Sequence, residues 1–410
     1  MDDETLRLPD RWEAEVADVR SFLDENYAIP LSGGGYARRA LSQQQTQLPW
    51  GRIGIERFCE RVQPVISGVD EASGFWSEVI TSIKKAAFDA VAFGNSTLIV
   101  DEDATIRIST PEHGTASRDP WTTTFIEIWG ETIARSSDDG ALMISTNGGN
   151  TWKGTGSMSF PIFYGQDGAH PQGASRLSPA VRNTIRAASR NKARAEIAAQ
   201  FYAFPQRIFN GVWEELETTK TKDGLASMSV GAQTIAMIPA GPNGEKLDVT
   251  QLPAASFEPF IDMQRSLAIE AASGLGLAYS DLGVTTAQPQ SADQIYALKE
   301  TLSIAISSWE MEITPSIQAM LVRLAEIRDE GEEPVLTWAE PSTPSKASAA
   351  DAAVKIVGAF PALRDSPAVL RWAGIPQTVL QQAMEDLGID KLSDLPVFDP
   401  DGEVMSDDEE

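Results

Sequence analysis

Residues 256–328 constrain the chain most: a short amphipathic stretch, a Gly-rich loop with almost no charge, then a very long helical pattern. Within Ser256–Ser273, Phe260, Ile261, Leu267 and Ile269 fall roughly on one apolar face. The next segment, Gly274–Gln290, holds Gly274, Gly276, Gly283 and Pro289, and Asp281 is its sole charged residue. Ser291-Ala-Asp-Gln294 reads as a capping box, a side-chain oxygen at a helix start answered by Gln three residues later. Beyond it Ile295, Leu298, Leu302, Ala305, Ile306, Trp309, Ile313, Ile317, Leu321, Leu324 and Ile327 recur at helical spacing. At roughly 1.5 Å per residue that helix reaches about 57 Å, oversized for an ordinary enzyme domain. It suits a protein that spans something.

A chain of 410 residues has room for two or three domains, and 42% hydrophobic content excludes wholesale disorder. With 33 basic against 59 acidic residues, the net charge of −26 argues against a protein that wraps nucleic acid electrostatically. Two readings of the acidity stay open: solubility, or a surface that repels a polyanion. The one cysteine, Cys59, makes no internal disulfide, which fits a reducing cytoplasm. The N-terminus, Met1-Asp-Asp-Glu-Thr-Leu-Arg7, is acidic where a signal peptide is basic and then apolar. No run approaches the roughly 18 apolar residues of a membrane span. The expectation is a soluble, intracellular protein with no membrane partner.

Residues 10–28 predict a helix with Trp12, Val16, Val19 and Leu23 on one side, broken by Ser32-Gly-Gly-Gly35. Helices are expected at 51–63 and 75–93, the second closed by Gly94. The period then changes to that of strands. Ser96–Val100 and Thr105–Ser109 flank Asp-Glu-Asp-Ala like a hairpin; Thr122–Trp129 and Ala141–Ser145 continue the sheet. Asn147-Gly-Gly-Asn150 supplies residues tolerant of positive φ for a turn. A helix follows from Ser178 to Phe204, with Pro179 at its first position, where a missing N–H costs little. A mixed, β-containing insert spans 205–255. Pro334 and Pro341-Ser-Thr-Pro344 mark a boundary, and helical pieces around 346–360, 366–373 and 376–387 precede an acidic tail ending in Ser406-Asp-Asp-Glu-Glu410. The fold class is α+β.

Catalysis needs a constellation of groups, and none is legible. His113 and His170 sit in Pro/Gly-rich loops with no Cys/His cluster beside them. There is no Walker Gly-Lys motif, no Gly-x-Ser-x-Gly elbow and no His-Glu-x-x-His. Asp101 and Asp103 read as hairpin acids, since no Gly or distal Glu completes a calcium loop. No enzyme, catalytic residue, metal or cofactor is expected. A metal-dependent nucleic-acid enzyme is the alternative from another class, because 59 acids leave room for a carboxylate cluster.

One charge pattern stands out. Arg182, Arg186, Arg190 and Arg194 follow at i+4 spacing, with Lys192 nearby and Glu196 the only acid in the helix. Like charges so placed weaken an isolated helix, so something anionic lies opposite. An acidic face of a neighbouring subunit, DNA phosphates and an acidic shell protein all satisfy that demand. Base reading does not, because Arg without Asn or Gln neighbours positions phosphates rather than specifying bases.

Several stretches together resemble the portal proteins of tailed bacteriophages, and the shorter portals of long-tailed phages above all. They are Leu48-Pro-Trp-Gly-Arg52, Ala92-Phe-Gly-Asn-Ser-Thr-Leu-Ile-Val100, Gly173-Ala-Ser-Arg-Leu-Ser-Pro179 and Ala203-Phe-Pro-Gln-Arg-Ile-Phe-Asn-Gly211. Ser256-Phe-Glu-Pro-Phe260, Ser291-Ala-Asp-Gln-Ile-Tyr296 and Thr337–Pro344 continue the series in order. The resemblance implies an elongated portal fold: an α/β wing (1–177), stem helices at 178–204 and 256–275, and a clip between them (205–255). It further implies a tunnel loop (276–290), a long kinked wing helix interrupted by Pro315 (291–331), a connector and helical crown (332–398) and the acidic tail (399–410).

By the same resemblance the chain forms a homo-oligomeric ring, most commonly of twelve subunits, at one vertex of the virion shell, assembled in the host bacterial cytoplasm. Double-stranded DNA passes through it during packaging and ejection. The terminase large subunit docks on the clip, then the neck adaptor, and the major capsid and scaffolding proteins surround the ring. Another head or neck structural protein is the remaining alternative. The tunnel residues facing DNA would be Gly276, Tyr279, Asp281, Thr285, Thr286, Gln288 and Gln290. Residues 256–290 carry Glu258, Asp262, Glu270 and Asp281 against Arg265 alone. A conduit that bound phosphates tightly would stall transport, so few cations are expected there.

Overall fold

The computed structural model describes residues 8–29, 46–69, 74–109, 111, 113–119, 122–129, 132–137, 139–167, 169–203, 207–210, 219–220, 226–227, 248–251, 256–284, 292–341 and 355. The chain divides into two units, Met1–Pro341 and Ser342–Glu410, and in the second only Lys355 is described. The helical pieces expected beyond residue 345, the acidic tail and Ser291 of the capping box lie outside the described residues.

The described helices at the start of the first unit are α1 (Leu8–Leu23), α2 (Trp50–Cys59) and α3 (Gly74–Phe93). Strand β1 (Pro64–Ser67) runs between α2 and α3. Helix α3 buries Trp76, Val79, Ile83, Ala86, Ala87, Ala90 and Val91, so it is a core helix. It leads into an antiparallel sheet of β2 (Asn95–Val100), β3 (Ile106–Ile108), β4 (Gly114–Asp119), β5 (Thr122–Trp129), β6 (Thr132–Ser136), β7 (Ala141–Ser145) and β8 (Lys153–Phe163). Its strand order is β3-β2-β8-β7-β6-β5-β4.

The β2–β3 hairpin pairs Leu98 with Ile108 and Val100 with Ile106. In its turn the Thr105 backbone N–H donates to Asp103 at 3.0 Å and holds that carboxyl below the usual carboxylate range. Asp103 is therefore a turn acid. The β7–β8 turn uses Gly148 (φ 65°) and Gly149 (φ 91°), and Asn147 Oδ1 accepts the Thr151 N–H at 3.0 Å. Strands β4 and β6, which carry weaker alternation, complete the meander between the strands legible in the sequence.

Stretches that are far apart in sequence meet where α3 ends. Gly94, at φ 102°, accepts the Tyr164 N–H on its carbonyl at 2.8 Å. A Cβ on Gly94 would come within 2.9 Å of the Ala174 nitrogen, and one on Gly173 within 2.0 Å of the Gly94 oxygen. Arg176 N–H donates to Val91 at 3.0 Å, and buried Asn95 donates to the Gln172 carbonyl at 2.8 Å. This backbone crossing admits no side chain. Gly94→Ala, which adds both a clash and a left-handed conformation, lowers stability by about 2 kcal/mol. An unchanged denaturant midpoint would contradict that.

Next comes the helix pair. Helix α4 (Pro179–Ala203) begins with Pro179, and α5 (Glu258–Gly274) runs antiparallel beside it. Asn191 donates to the Phe260 carbonyl at 2.9 Å and to Gln264 Oε1 at 3.0 Å, while Thr184 donates to Glu270 at 3.1 Å. Ala188, Ala268, Ala271 and Ala272 are buried, so the helix pair carries small residues at its buried faces. Between the helices, β9 (Arg207–Asn210) pairs with β12 (Asp248–Gln251), and β10 (Thr219–Lys220) with β11 (Ala226–Ser227).

The last helix, α6 (Ala292–Arg328), has 37 residues and contains Pro315. Leu302, Ile306, Trp309, Ile313, Ile317, Leu321 and Leu324 are buried along it. Ala305, expected on that face, is exposed; the neighbouring Ile306 takes the core position. Trp309 Nε1 donates to the Phe163 carbonyl at 2.6 Å and Ser316 to the Pro161 carbonyl at 2.7 Å, fastening the helix along β8. Helix α6 runs unbroken through Pro315, which faces solvent, so the Met311 carbonyl that loses its helical donor lies on the exposed side. The expected connector begins with order: β13 (Val335–Trp338) pairs with β1, and Trp338 Nε1 bonds Thr314 at 2.8 Å.

Candidate functional site

The arginine series on α4 divides into two. An i+4 step overshoots one helical turn, so each arginine is rotated about 40° from the last. Arg182 is 2% exposed, and its guanidinium donates to Asp18 at 2.6 Å and to Glu15, both on α1. Arg186 also bonds Asp18 and lies 4.7 Å above the Phe22 ring. Tyr27, just past α1, completes the seam by a 2.6 Å bond to the Ser189 hydroxyl. Burial raises the pKa of the Tyr27 phenol above the ordinary tyrosine range. The anion demanded by Arg182 and Arg186 therefore lies within the chain, 164 residues from Arg182. Arg190 is half-buried and Arg194 exposed. Neither makes an ion pair among the described residues.

Of residues 276–290, expected as a tunnel loop, the structure describes 276–284. Gly276 takes φ 59°, and Tyr279–Leu282 form a short 3-10 helix closed by Gly283 at φ 81°. Leu275, Leu277, Ala278 and Leu282 are buried, and Leu275 packs over Gly54 of α2, where a Cβ would meet its Cδ2 at 2.7 Å. Tyr279 and Asp281 are half-buried in this turn. The apolar residues spaced among the glycines anchor the chain through Val284 to the core, so Gly276, Tyr279 and Asp281 belong to a folded turn. Thr285, Thr286, Gln288 and Gln290 lie outside the described residues.

Arg176 locks this junction. It donates to the Tyr164 hydroxyl at 2.6 Å and to the Leu275 carbonyl, and stacks 4.4 Å from the Phe58 ring centroid. A cation at the carbonyl end of α5 also complements its dipole. A cavity of about 380 Å³ lies there, lined by Tyr164, Arg176, Leu275, Gly276, Thr301 and Leu302. Sequence reasoning did not single out Arg176; its place in Gly173–Pro179 was the available signal.

The groups suited to chemistry are scattered. His113 stacks on Trp129 at 3.8 Å between centroids, and His170 bonds Asp167 at 2.9 Å in an exposed turn. Burial pushes the Cys59 thiol up to about 12, so it is no thiolate at neutral pH. Glu127 is buried against Arg107 at 2.7 Å and Ser109 at 2.8 Å, which ties β3 to β5. Among the described residues, no group of three His, Cys, Asp or Glu could hold a metal ion. No described helix is long and apolar enough to cross a membrane.

No family model and no curated protein matches the chain. Three solved structures are similar to the chain over most of its length. One, from the neck of an empty gene transfer agent particle, is 12% identical over 88% of this chain and 99% of its own, at a TM-score of 0.48. Another, from the native gene transfer agent virion, has the same identity and coverage at 0.44. An HK97-family phage portal protein from Corynebacterium diphtheriae is 12% identical over 75% of this chain and 97% of its own, at 0.34.

Proposed function

We propose that this chain is the repeating subunit of a portal, a ring at one vertex of a phage or prophage shell through which double-stranded DNA enters and leaves. The observation that carries the reading is the continuity of three parts: an antiparallel helix pair, an insert tied at its base by β9 and β12, and a packed turn feeding a 37-residue helix. In this reading α4 and α5 are the stem, 205–255 the clip, 276–290 the tunnel loop and α6 the wing helix. Charge supports it. Residues 256–284 carry one cation, Arg265, and it already lies 3.3 Å from Asp262. A channel wall poor in cations lets a polyanion slide, since phosphates gain nothing by stopping there.

Twelve subunits, docking of the terminase large subunit and later the neck adaptor on the clip, and capsid and scaffolding contacts around the ring belong to the same proposal. The motor's ATP hydrolysis lies in that separate partner. Deleting Thr286–Gln290 is the functional test. Rings are expected to form as before, with DNA packaging or retention reduced. Normal packaging by the deleted ring would overturn the tunnel assignment, and chelator-sensitive DNA cleavage by the purified protein would favour an enzyme.

A further inference from the structure

The outer flanks of the helix pair are electrically unlike. Helix α4 carries Arg182, Arg186, Arg190, Lys192 and Arg194 against Glu196; on α5, Glu270 accepts from Thr184 on the side toward α4, and the outer flank keeps Glu258 and Asp262, the latter 3.3 Å from the exposed Arg265. Arg182 and Arg186 are neutralised by α1. Arg190, Lys192 and Arg194 remain, in a chain whose net charge is −26. Copies of so acidic a chain repel one another, so a contact between copies gains most where one side is basic and the other acidic.

Helical geometry says where those flanks point. On α4 the side facing α5 is marked by Val181, Thr184 and Asn191. At about 100° per residue, Arg190 and Arg194 are turned roughly 90–130° from it. On α5, Gln264 and Gly274 mark the side facing α4, and Glu258, Asp262 and Ile269 are turned roughly 130–180° from it. The two charged turns also sit at one height, because Asn191 bonds Phe260 and Gln264 directly.

We infer that neighbouring copies meet flank to flank through this pair, Arg190 and Arg194 of one copy facing Glu258 and Asp262 of the next. The inference rests on the ring reading above. Rotation about an axis parallel to the helices preserves height, so a head-to-tail ring brings the two turns together without axial slip. Ile261 and Ile269, 56% and 47% exposed on α5, supply apolar surface for the same contact to cover. The acid flank sets register by attraction, and the isoleucines add area.

Three variants test the pairing: Arg190→Glu with Arg194→Glu, Glu258→Arg with Asp262→Arg, and all four together. Each two-residue reversal should lower the ring fraction at fixed protein concentration about tenfold, and the four-residue swap should restore it. Circular dichroism checks that these surface variants remain folded. Rings at the wild-type level in either reversed variant overturn the pairing, as does a swapped variant that stays monomeric. Intact rings with weakened DNA binding in the arginine variant assign that flank to the duplex and overturn it equally. A wild type that never forms rings overturns the ring reading as well, which separates the two failures.

Discussion

Arg182→Met lowers the unfolding free energy by about 3 kcal/mol, while Arg194→Met changes it by less than about 0.5 kcal/mol. The two residues belong to one sequence pattern, yet helical drift puts them in opposite surroundings. The Arg182 side chain is 3% exposed and paired with Glu15 and Asp18, whose side chains are 43% and 38% exposed. Removing it strands Glu15, leaves Asp18 with Arg186 alone, and empties a guanidinium-sized space between α1 and α4. The half-exposed acids keep some solvation, which holds the loss near the lower end for a broken buried pair. Arg194 is exposed, so its truncation leaves the fold intact. Denaturant unfolding of both variants measures the contrast, and equal midpoints would contradict it.

Glu310→Gln stabilises the protein at pH 8 by at most about 3 kcal/mol and has almost no effect at pH 4. Glu310 is 3% exposed on the core side of α6, and its Oε1 has no hydrogen-bond partner. Burial pushes its carboxyl up to about 7 from an ordinary 4.5. A carboxyl with a raised folded pKa favours the protonated native state. Its burden is therefore absent below the unfolded value, grows as pH rises between about 4.5 and 7, and is complete above. Glutamine keeps the shape without a charge to desolvate. Urea midpoints across that range test the sign, and a variant whose gain shrinks with rising pH would contradict it.

Local chemistry made much of the fold legible. Pro179 opens α4, Gly94 closes α3, and the glycines after Asn147 take the positive φ expected of the turn. The apolar period of α6 identified its buried face at Leu302, Ile306, Trp309, Ile313, Ile317, Leu321 and Leu324. Long-range contacts were not legible. Nothing near Arg182 announces Asp18, and nothing near Pro64 announces Val335–Trp338 as its strand partner. In the segment after α5, glycine and low charge signal a loop, and Leu275, Leu277 and Leu282 bury the part that is described. Ile304 and Met311 fall outside that period and are 64% and 70% exposed. A single copy leaves them uncovered.

The proposed function requires assembly into a ring. Native mass spectrometry of the purified chain tests it most directly. The expected species lies near half a megadalton, about twelve copies of the 44.3 kDa subunit. A compact dimer or tetramer as the largest species, at any concentration, would contradict it.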